Sequence, residues 1–191
     1  MTETRDKLQF ILEIEKLKSV LRKTKPVGLA RFENTAEHSW QTTLTALLFL
    51  EEAGEDLDAL KVLKMLLIHD IVEIDAGDTF VYDQKARKDV EEEELRAARR
   101  IFGLLPDPLG KELLELWEEF EGRKSPEAIF AKAMDRVNPV VQNLNSNGQS
   151  WVENRIKREQ VLKVNSEIQN ASPALWHLLK SEIEQAEFFE E

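Results

Sequence analysis

The sequence predicts an all-α protein: one compact domain, residues 1–191, built as a bundle of roughly seven or eight helices. Apolar residues recur with helical spacing along almost every segment, and no segment shows the sustained alternation typical of a half-buried strand. The length of 191 residues suits a single domain with a sizeable core and is short for two. The connections contain no serine-rich or repetitive tract that would mark a linker.

Three helices are expected in the N-terminal part of the chain. The first, over residues 5–22, carries an apolar stripe along one side. This stripe consists of Leu8, Ile11, Leu12, Leu17, Val20 and Leu21. Asn34 or Thr35 can cap a second helix that ends at Gly54, and a third helix is expected over about residues 56–73.

The C-terminal part predicts further helices with clear start signals. A charged amphipathic helix is expected over about residues 85–102, and two prolines open the next helix over about residues 106–120. Ser125 and Ser172 are each followed by proline, which is a strong signal for an N-cap and a first helical residue. Pro139 is expected to kink or end the helix that starts after Ser125.

The composition excludes several classes of site and partner. The chain contains no cysteine, so disulfides, thiolate ligands and cysteine nucleophiles are absent, and any metal must bind nitrogen and oxygen atoms. A net charge of −11 and a pI of about 4.9 argue against a nucleic acid polymer as partner, because phosphate backbones bind cationic surfaces. The charged N-terminus and the lack of an apolar run of roughly 20 residues predict a cytoplasmic protein without a membrane partner.

Histidine and acidic side chains occur where the apolar pattern predicts buried helix faces. The segment LLIHDIVEIDAGD, residues 66–78, places His69 and Asp70 at the end of an apolar run. His38 lies one turn inside the predicted second helix, and Asp135 lies among the apolar residues of AKAMDRV. One histidine on an apolar face is more often a hydrogen-bonded core residue than a ligand. Four such residues together favour a buried cation, which would stabilise all of them at once.

The order of these motifs resembles that of a known enzyme family. The order is AEHSW, then HDIVEIDAGD, then MDR at residues 134–136. This order resembles the motifs of the HD-domain metal-dependent phosphohydrolases, and more narrowly those of the bacterial 5′-deoxynucleotidases and their eukaryotic relatives. The similarity covers roughly residues 8–145, and C-terminal helices are expected over about residues 153–189. It implies one divalent ion (Mn, Co, Mg, Ni, Fe or Zn) with at least one open coordination position. The implied ligands are His38, His69, Asp70 and Asp135.

The resemblance also implies two functional carboxylates beside the ion. Glu73 matches the catalytic carboxylate of the family, and Asp78 matches a residue near the sugar and phosphate. Glu73 follows His69 by four positions and Asp70 by three, so a continuing helix would place all three on one side. Glu73 could then contact water on the ion without being a ligand itself.

Arginines near these motifs are candidates for binding phosphate, because planar guanidinium groups suit phosphate oxygens. Arg22 is matched to the phosphate-binding arginine of the family, and Arg31 lies at the other end of the same loop. The alternative for either arginine is an ion pair with Glu33 or Glu37. Arg136 could also reach an anion.

The expected function is removal of the 5′-phosphate from nucleoside or deoxynucleoside monophosphates by a metal-dependent phosphomonoesterase. Two alternatives stay open: the same site acting on a cyclic or pyrophosphate-bearing nucleotide, and a non-catalytic α-helical regulator stabilised by its metal. The proton for the leaving sugar could come from Asp78 or from a second water. The bacterial deoxynucleotidases carry a tryptophan, implicated in rejecting the ribose 2′-hydroxyl, where this chain has Lys23. Relatives in the family commonly form dimers, so a homodimer is expected.

Overall fold

The computed structural model is all-α, which confirms the predicted fold class. It describes residues 2–53, 57–83 and 86–189. Within these ranges the chain forms no β-strand, and only Leu21 and Asn34 make an isolated antiparallel bridge. No helix in the same ranges is both long and apolar enough to cross a bilayer.

Eleven α-helices follow one another in the described part of the chain. They are α1 (Thr2–Ile14), α2 (Thr35–Phe49), α3 (Ala59–Ile68), α4 (Glu73–Ala76), α5 (Ala86–Phe102), α6 (Leu109–Gly122), α7 (Pro126–Asp135), α8 (Val137–Leu144), α9 (Gln149–Glu153), α10 (Arg158–Asn165) and α11 (Pro173–Gln185). Three 3₁₀ segments, Glu15–Ser19, Leu50–Ala53 and Ser166–Asn170, directly follow α1, α2 and α10. Nine of the described helices have at least eight residues, one more than the upper end of the expected number.

Serine caps start two helices where the sequence predicts them. The Ser125 hydroxyl accepts the N–H of Ala128 at 3.2 Å, and the Ser172 hydroxyl accepts the N–H of Leu175 at 3.1 Å. These contacts confirm the predicted starts of α7 and α11, since each cap satisfies a backbone donor that has no partner inside the helix. Three predicted helix boundaries lie outside the described residues, at Gly54, Asp56 and Lys85.

The third helix ends earlier than the sequence predicts. α3 stops at Ile68, and a new short helix, α4, begins at Glu73. Between them the N–H groups of Ile71 and Glu73 bond to the carbonyls of Ile68 and Asp70, at 3.2 and 3.0 Å. Such bonds to the third preceding residue tighten the chain into 3₁₀-like turns. The expected continuous helix to residue 73 is therefore wrong in its last turn.

The helix break near Pro139 falls three residues before the proline. α7 ends at Asp135, α8 begins at Val137, and Pro139 is the third residue of α8. A proline in the first helical turn lacks an N–H that would have no partner inside the helix in any case. Pro139 is therefore tolerated in α8. The expected kink at Pro139 is therefore replaced by a break at Arg136.

Three packed helices bring the candidate ligands together. α3 packs against α2, α6 and α7, and α2 also contacts α7. Met65 and Leu66 of α3 are fully buried, and α7 is buried over residues 130–135. The start of α2 and the ends of α3 and α7 therefore meet inside the protein. One apolar core extends from Leu17 to Ile183, which supports the prediction of a single domain.

Candidate metal centre

A capping box at the start of α2 places the first histidine. The Asn34 side chain accepts the Glu37 N–H at 3.0 Å, and the Glu37 carboxylate accepts the Asn34 N–H at 2.8 Å. This reciprocal arrangement satisfies two backbone donors and fixes where the helix begins. His38, the next residue, is completely buried.

The second histidine is held by contacts that fix its ring. His69 Nδ1 lies 2.8 Å from the carbonyl oxygen of Leu66 and donates to it, because a carbonyl can only accept. The Trp117 indole N–H donates to the His69 carbonyl at 3.0 Å, and the Phe120 ring meets the imidazole edge-on at 5.2 Å. His69 Nε2 is buried and makes no hydrogen bond of suitable geometry, although oxygens of Asp70 and Asp135 lie 3.1 and 3.4 Å from it. A cation is a suitable partner for this nitrogen.

Four side chains place ligand-type atoms within 4.8 Å of one another: His38, His69, Asp70 and Asp135. Asp135 Oδ1 lies 2.9 Å from His38 Nε2 and 3.4 Å from His69 Nε2. Asp70 Oδ2 lies 3.7 and 3.1 Å from the same two nitrogens. Metal–ligand bonds of roughly 2.0 to 2.2 Å give ligand separations of this size, so the cluster fits one divalent ion. Two imidazoles and two carboxylates suit the borderline divalent metals.

The imidazoles and carboxylates of this cluster attract one another and shift one another's pKa values. Burial alone would lower the pKa of His69, but the carboxylates of Asp70 and Asp135 raise it to about 10. Burial opposes ionisation of both carboxyls, yet the pKa of Asp70 lies below its usual range because of His69. The pKa of Asp135 is lowered in the same way by His38 and then by His69. A cation bound here competes with the His69 proton.

Arg22 joins the two predicted functional carboxylates to the cluster. Its Nη1 donates to Asp70 Oδ2 at 2.8 Å and lies 3.5 Å from Asp78 Oδ1 and 3.8 Å from Glu73 Oε1. Thr35 Oγ1 donates to Glu73 Oε2 at 2.7 Å, which leaves Oε1 facing Arg22. The structure thus brings Arg22, Glu73 and Asp78 to the cluster.

Glu73 and Asp78 have the electrostatics of acid–base groups. Burial raises the pKa of Glu73 well above its usual range, and the negative charge of Asp70 adds to the shift. Burial also raises the pKa of Asp78, and the positive charge of Arg22 opposes both shifts. Carboxyls whose pKa values are raised by burial beside a charged cluster are typical of acid–base groups in active sites.

Glu33 belongs to this site, although the sequence indicates for it only an ion pair with Arg22 or Arg31. Its side chain is buried and accepts hydrogen bonds from Thr24 at 3.1 Å and from Gln142 at 2.6 Å. Its Oε2 lies 3.6 Å from His38 Nδ1, the nitrogen that faces away from the cluster. A carboxylate behind a ligating histidine orients the ring and raises its basicity.

A cavity of about 400 Å³ opens beside the cluster, large enough for a small ligand. Arg22, Asp70, Glu73, Asp78 and Asp135 line it on the side of the cluster. Further residues on its wall include Phe80, Tyr82, Arg136 and Trp151. Two candidate ligands, Asp70 and Asp135, and both candidate catalytic carboxylates therefore share one accessible space.

Arg31 does not reach this cavity. Its side chain is 55% exposed, and its Nη2 donates to Glu37 Oε2 at 2.8 Å. The ion pair with Glu37, the alternative to phosphate binding, is what the structure shows.

Comparison with known proteins identifies the family. A family model described as HD domain matches residues 14–176. The chain belongs to the HD domain family. The 5′-deoxynucleotidase HDDC2 of Bos taurus is 32% identical over 139 residues, which are 72% of this chain and 66% of that protein. The corresponding Danio rerio protein is 29% identical over 175 residues, 91% of this chain and 84% of that protein.

Solved structures agree with this assignment. A predicted metal-dependent phosphohydrolase from Magnetospirillum magnetotacticum MS-1 superposes with a TM-score of 0.93 and 39% identity, covering 100% of this chain and 97% of that one. An HD-domain phosphohydrolase from Listeria innocua shares the fold at a TM-score of 0.63 and 18% identity, over 94% and 92% of the two chains. The resemblance expected from the motifs is confirmed.

The HD-domain cluster should bind one ion per chain. Elemental analysis after reconstitution with manganese or cobalt should give about one ion, and His69→Ala and Asp135→Ala should each abolish tight binding, because each removes one of four ligands. His177→Ala is the matched control, since His177 is exposed on α11. Two tightly held ions in the wild-type chain, or full occupancy in Asp135→Ala, would contradict this assignment.

Proposed function

We propose that this HD-domain protein is a metal-dependent phosphohydrolase that removes the 5′-phosphate from nucleoside or deoxynucleoside monophosphates. The grouping of a four-ligand cluster with two buried carboxyls around one cavity carries the proposal. The names of the relatives, 5′-deoxynucleotidase and metal-dependent phosphohydrolase, support the same reaction class. The implied ligands are His38, His69, Asp70 and Asp135.

The residues of the cluster fit a divalent ion, as the lack of a well-formed hydrogen bond at His69 Nε2 and the spacing of the ligand atoms indicate. Mn, Co, Mg, Ni, Fe and Zn all remain candidates for its identity. Such an ion supplies Lewis-acid activation of water and of a phosphoryl oxygen. The protein supplies the orientation of the reactants and the acid–base groups.

Glu73 is proposed to receive the proton of the attacking water. Thr35 holds Glu73 Oε2 at 2.7 Å and so fixes the carboxyl plane. Glu73 Oε1 then accepts the proton as the water oxygen forms its bond to phosphorus and the bond between phosphorus and the 5′-oxygen breaks. The products are inorganic phosphate and a nucleoside.

The departing 5′-oxygen needs a proton, and Asp78 is one candidate donor. Burial raises the pKa of Asp78, which favours its protonated form. Arg22 Nη1 lies 3.5 Å from Asp78 Oδ1, so the carboxyl faces the same space as Glu73. A second water remains the alternative donor.

A purely structural metal site is the rival interpretation. Such a site needs neither Glu73 nor Asp78, and a closed structural site needs no cavity beside it. Burying two extra carboxyls without a function would lower the stability of the fold. The arrangement therefore favours catalysis over a regulator stabilised by its metal.

Phosphate release from a panel of nucleotides tests the proposal. The metal-loaded wild-type protein should release phosphate from nucleoside 5′-monophosphates and much less from cyclic or diphosphate nucleotides. Glu73→Gln should keep the ion and the fold and lose at least roughly 100-fold in turnover, the typical cost of removing an acid–base group. Glu118→Gln, an exposed substitution of the same kind on α6, should be unaffected.

The nucleotidase proposal fails if no monophosphate is hydrolysed while a cyclic or pyrophosphate-bearing nucleotide is. If Glu73→Gln instead loses the ion, then Glu73 is a ligand and its proposed role is wrong.

Lys23 is expected to let the site accept both ribose and deoxyribose in its nucleotide substrates. It is exposed and lines the cavity, and a flexible amine leaves room for a 2′-hydroxyl that a bulky indole would exclude. Rates for AMP and dAMP should therefore be similar in the wild type, whereas Lys23→Trp should favour dAMP. A wild-type preference for dAMP of about 100-fold, or roughly 2.7 kcal/mol, would show that another residue excludes the hydroxyl.

We also propose that the protein is a homodimer. α2 exposes an apolar stripe with helical spacing, formed by Trp40, Leu44, Leu47 and Leu48. Exposed apolar patches of this kind mark interaction surfaces. Light scattering should give about twice the chain mass of 22.1 kDa, and Leu48→Glu should reduce it to one chain. Leu178→Glu, on the exposed face of α11, is the control, and a monomeric wild type would disprove the dimer.

A further inference from the structure

The cavity beside the metal centre contains several cations, and most of them already have anionic partners. Its wall includes Arg22, Lys23, Arg123, Lys132 and Arg136. Lys132 Nζ lies 2.8 Å from Glu121, and Arg123 Nη1 lies 3.1 Å from Glu167. Lys23 is exposed to solvent. These three side chains are therefore neutralised or hydrated before any ligand enters.

Arg22 is engaged even more fully by protein carboxylates. Its Nη1 contacts Asp70 at 2.8 Å and Asp78 at 3.5 Å, and its Nε lies 3.6 Å from Glu33. Burial disfavours its charge, but Asp70 and then Asp78 outweigh this and raise the pKa of Arg22. The positive charge of Arg22 thus offsets the surrounding acids, and little of it remains for an incoming anion.

Arg136 differs from the other cations of the cavity. It lies between α7 and α8, directly after Asp135, and its Nε is buried without a hydrogen-bond partner. Among the residues whose side chains the structure describes, 2–53, 57–83 and 90–189, no hydrogen bond or ion pair within 4.0 Å is found for its side chain. Arg136 lines the cavity together with Asp135 and Tyr82.

A charge count shows why the site needs this guanidinium. Five carboxyl groups surround this site: Glu33, Asp70, Glu73, Asp78 and Asp135. They can carry five negative charges, while Arg22 and one divalent ion would supply three positive ones. A phosphate monoester dianion would therefore enter a site without surplus positive charge, even if Glu73 or Asp78 holds a proton. An unpaired guanidinium in a cavity is the group that compensates such an anion.

We propose that Arg136 binds the non-bridging oxygens of the phosphate group that is hydrolysed. The nature of the substrate rests on the proposed function, but the contact with phosphate does not depend on the nucleoside. Arg136 lines the same cavity as the candidate ligands Asp70 and Asp135. Phosphate held against the ion would therefore lie within reach of the guanidinium.

Binding of inorganic phosphate to the metal-loaded protein tests this contact without any nucleotide turnover. Calorimetry should show that Arg136→Gln binds phosphate at least roughly tenfold more weakly than the wild type, because a charge-assisted hydrogen bond is lost. Arg136→Lys should fall between the two, since it keeps the charge and loses the planar fork. Arg99→Gln, the same charge change at an exposed position of α5, should bind like the wild type.

Metal content separates a phosphate contact from a structural role. Arg136→Gln should keep its ion, because removing a positive charge beside Asp135 favours a bound cation. The inference is overturned if Arg136→Gln binds phosphate like Arg99→Gln, if the substitution also strips the ion, or if the wild type binds no phosphate. A wild type that binds phosphate in this manner but hydrolyses no nucleotide would reject the proposed function and leave the Arg136 contact in place.

Discussion

Compensation of buried negative charge is the constraint on which the rest of the site depends. Asp70 and Asp135 lie at the ends of apolar helices, and beside them Glu73 is buried and the Asp78 side chain is 9% exposed. Burying carboxylates in such a setting is unfavourable unless positive groups surround them. Arg22 supplies one such group, and two imidazoles turn their Nε2 atoms toward the same point. A divalent ion at that point would complete the compensation and leave the cavity side open for chemistry.

The packing of α2, α3 and α7 converts this constraint into a defined geometry. Neighbouring groups support both histidines and the adjacent carboxyl. Glu33 lies behind His38, Leu66 and Trp117 hold His69, and Thr35 donates to Glu73. Support of this kind restricts the rotamers of the reacting groups and so preorganises the site. The core helices and the catalytic centre are therefore one structural unit, and substitutions in this supporting layer should alter chemistry as well as stability.

The sequence predicts the site better than it predicts the chain around it. Ligand types, helical spacing and the cap signals of Ser125 and Ser172 are local properties, so the sequence alone predicts them. The turns at residues 69–72 contain no glycine or proline to reveal them, and Glu33 lies in a loop without periodicity. Arg22 and Arg31 are both arginines at the ends of one loop. Only their tertiary contacts distinguish the residue at the cluster from the residue paired with Glu37. Cytoplasmic location and dimerisation stay predictions, because neither is a property of one folded chain.

Anomalous diffraction from crystals grown with manganese is the most direct test of the central claim. The account predicts one strong peak per chain, roughly 2.0 to 2.3 Å from His38 Nε2, His69 Nε2 and the carboxylates of Asp70 and Asp135. Glu73 should lie outside that coordination sphere and Arg22 should still contact Asp70. A peak elsewhere, a second peak of equal height in the cavity, or no peak between these four side chains would contradict the account.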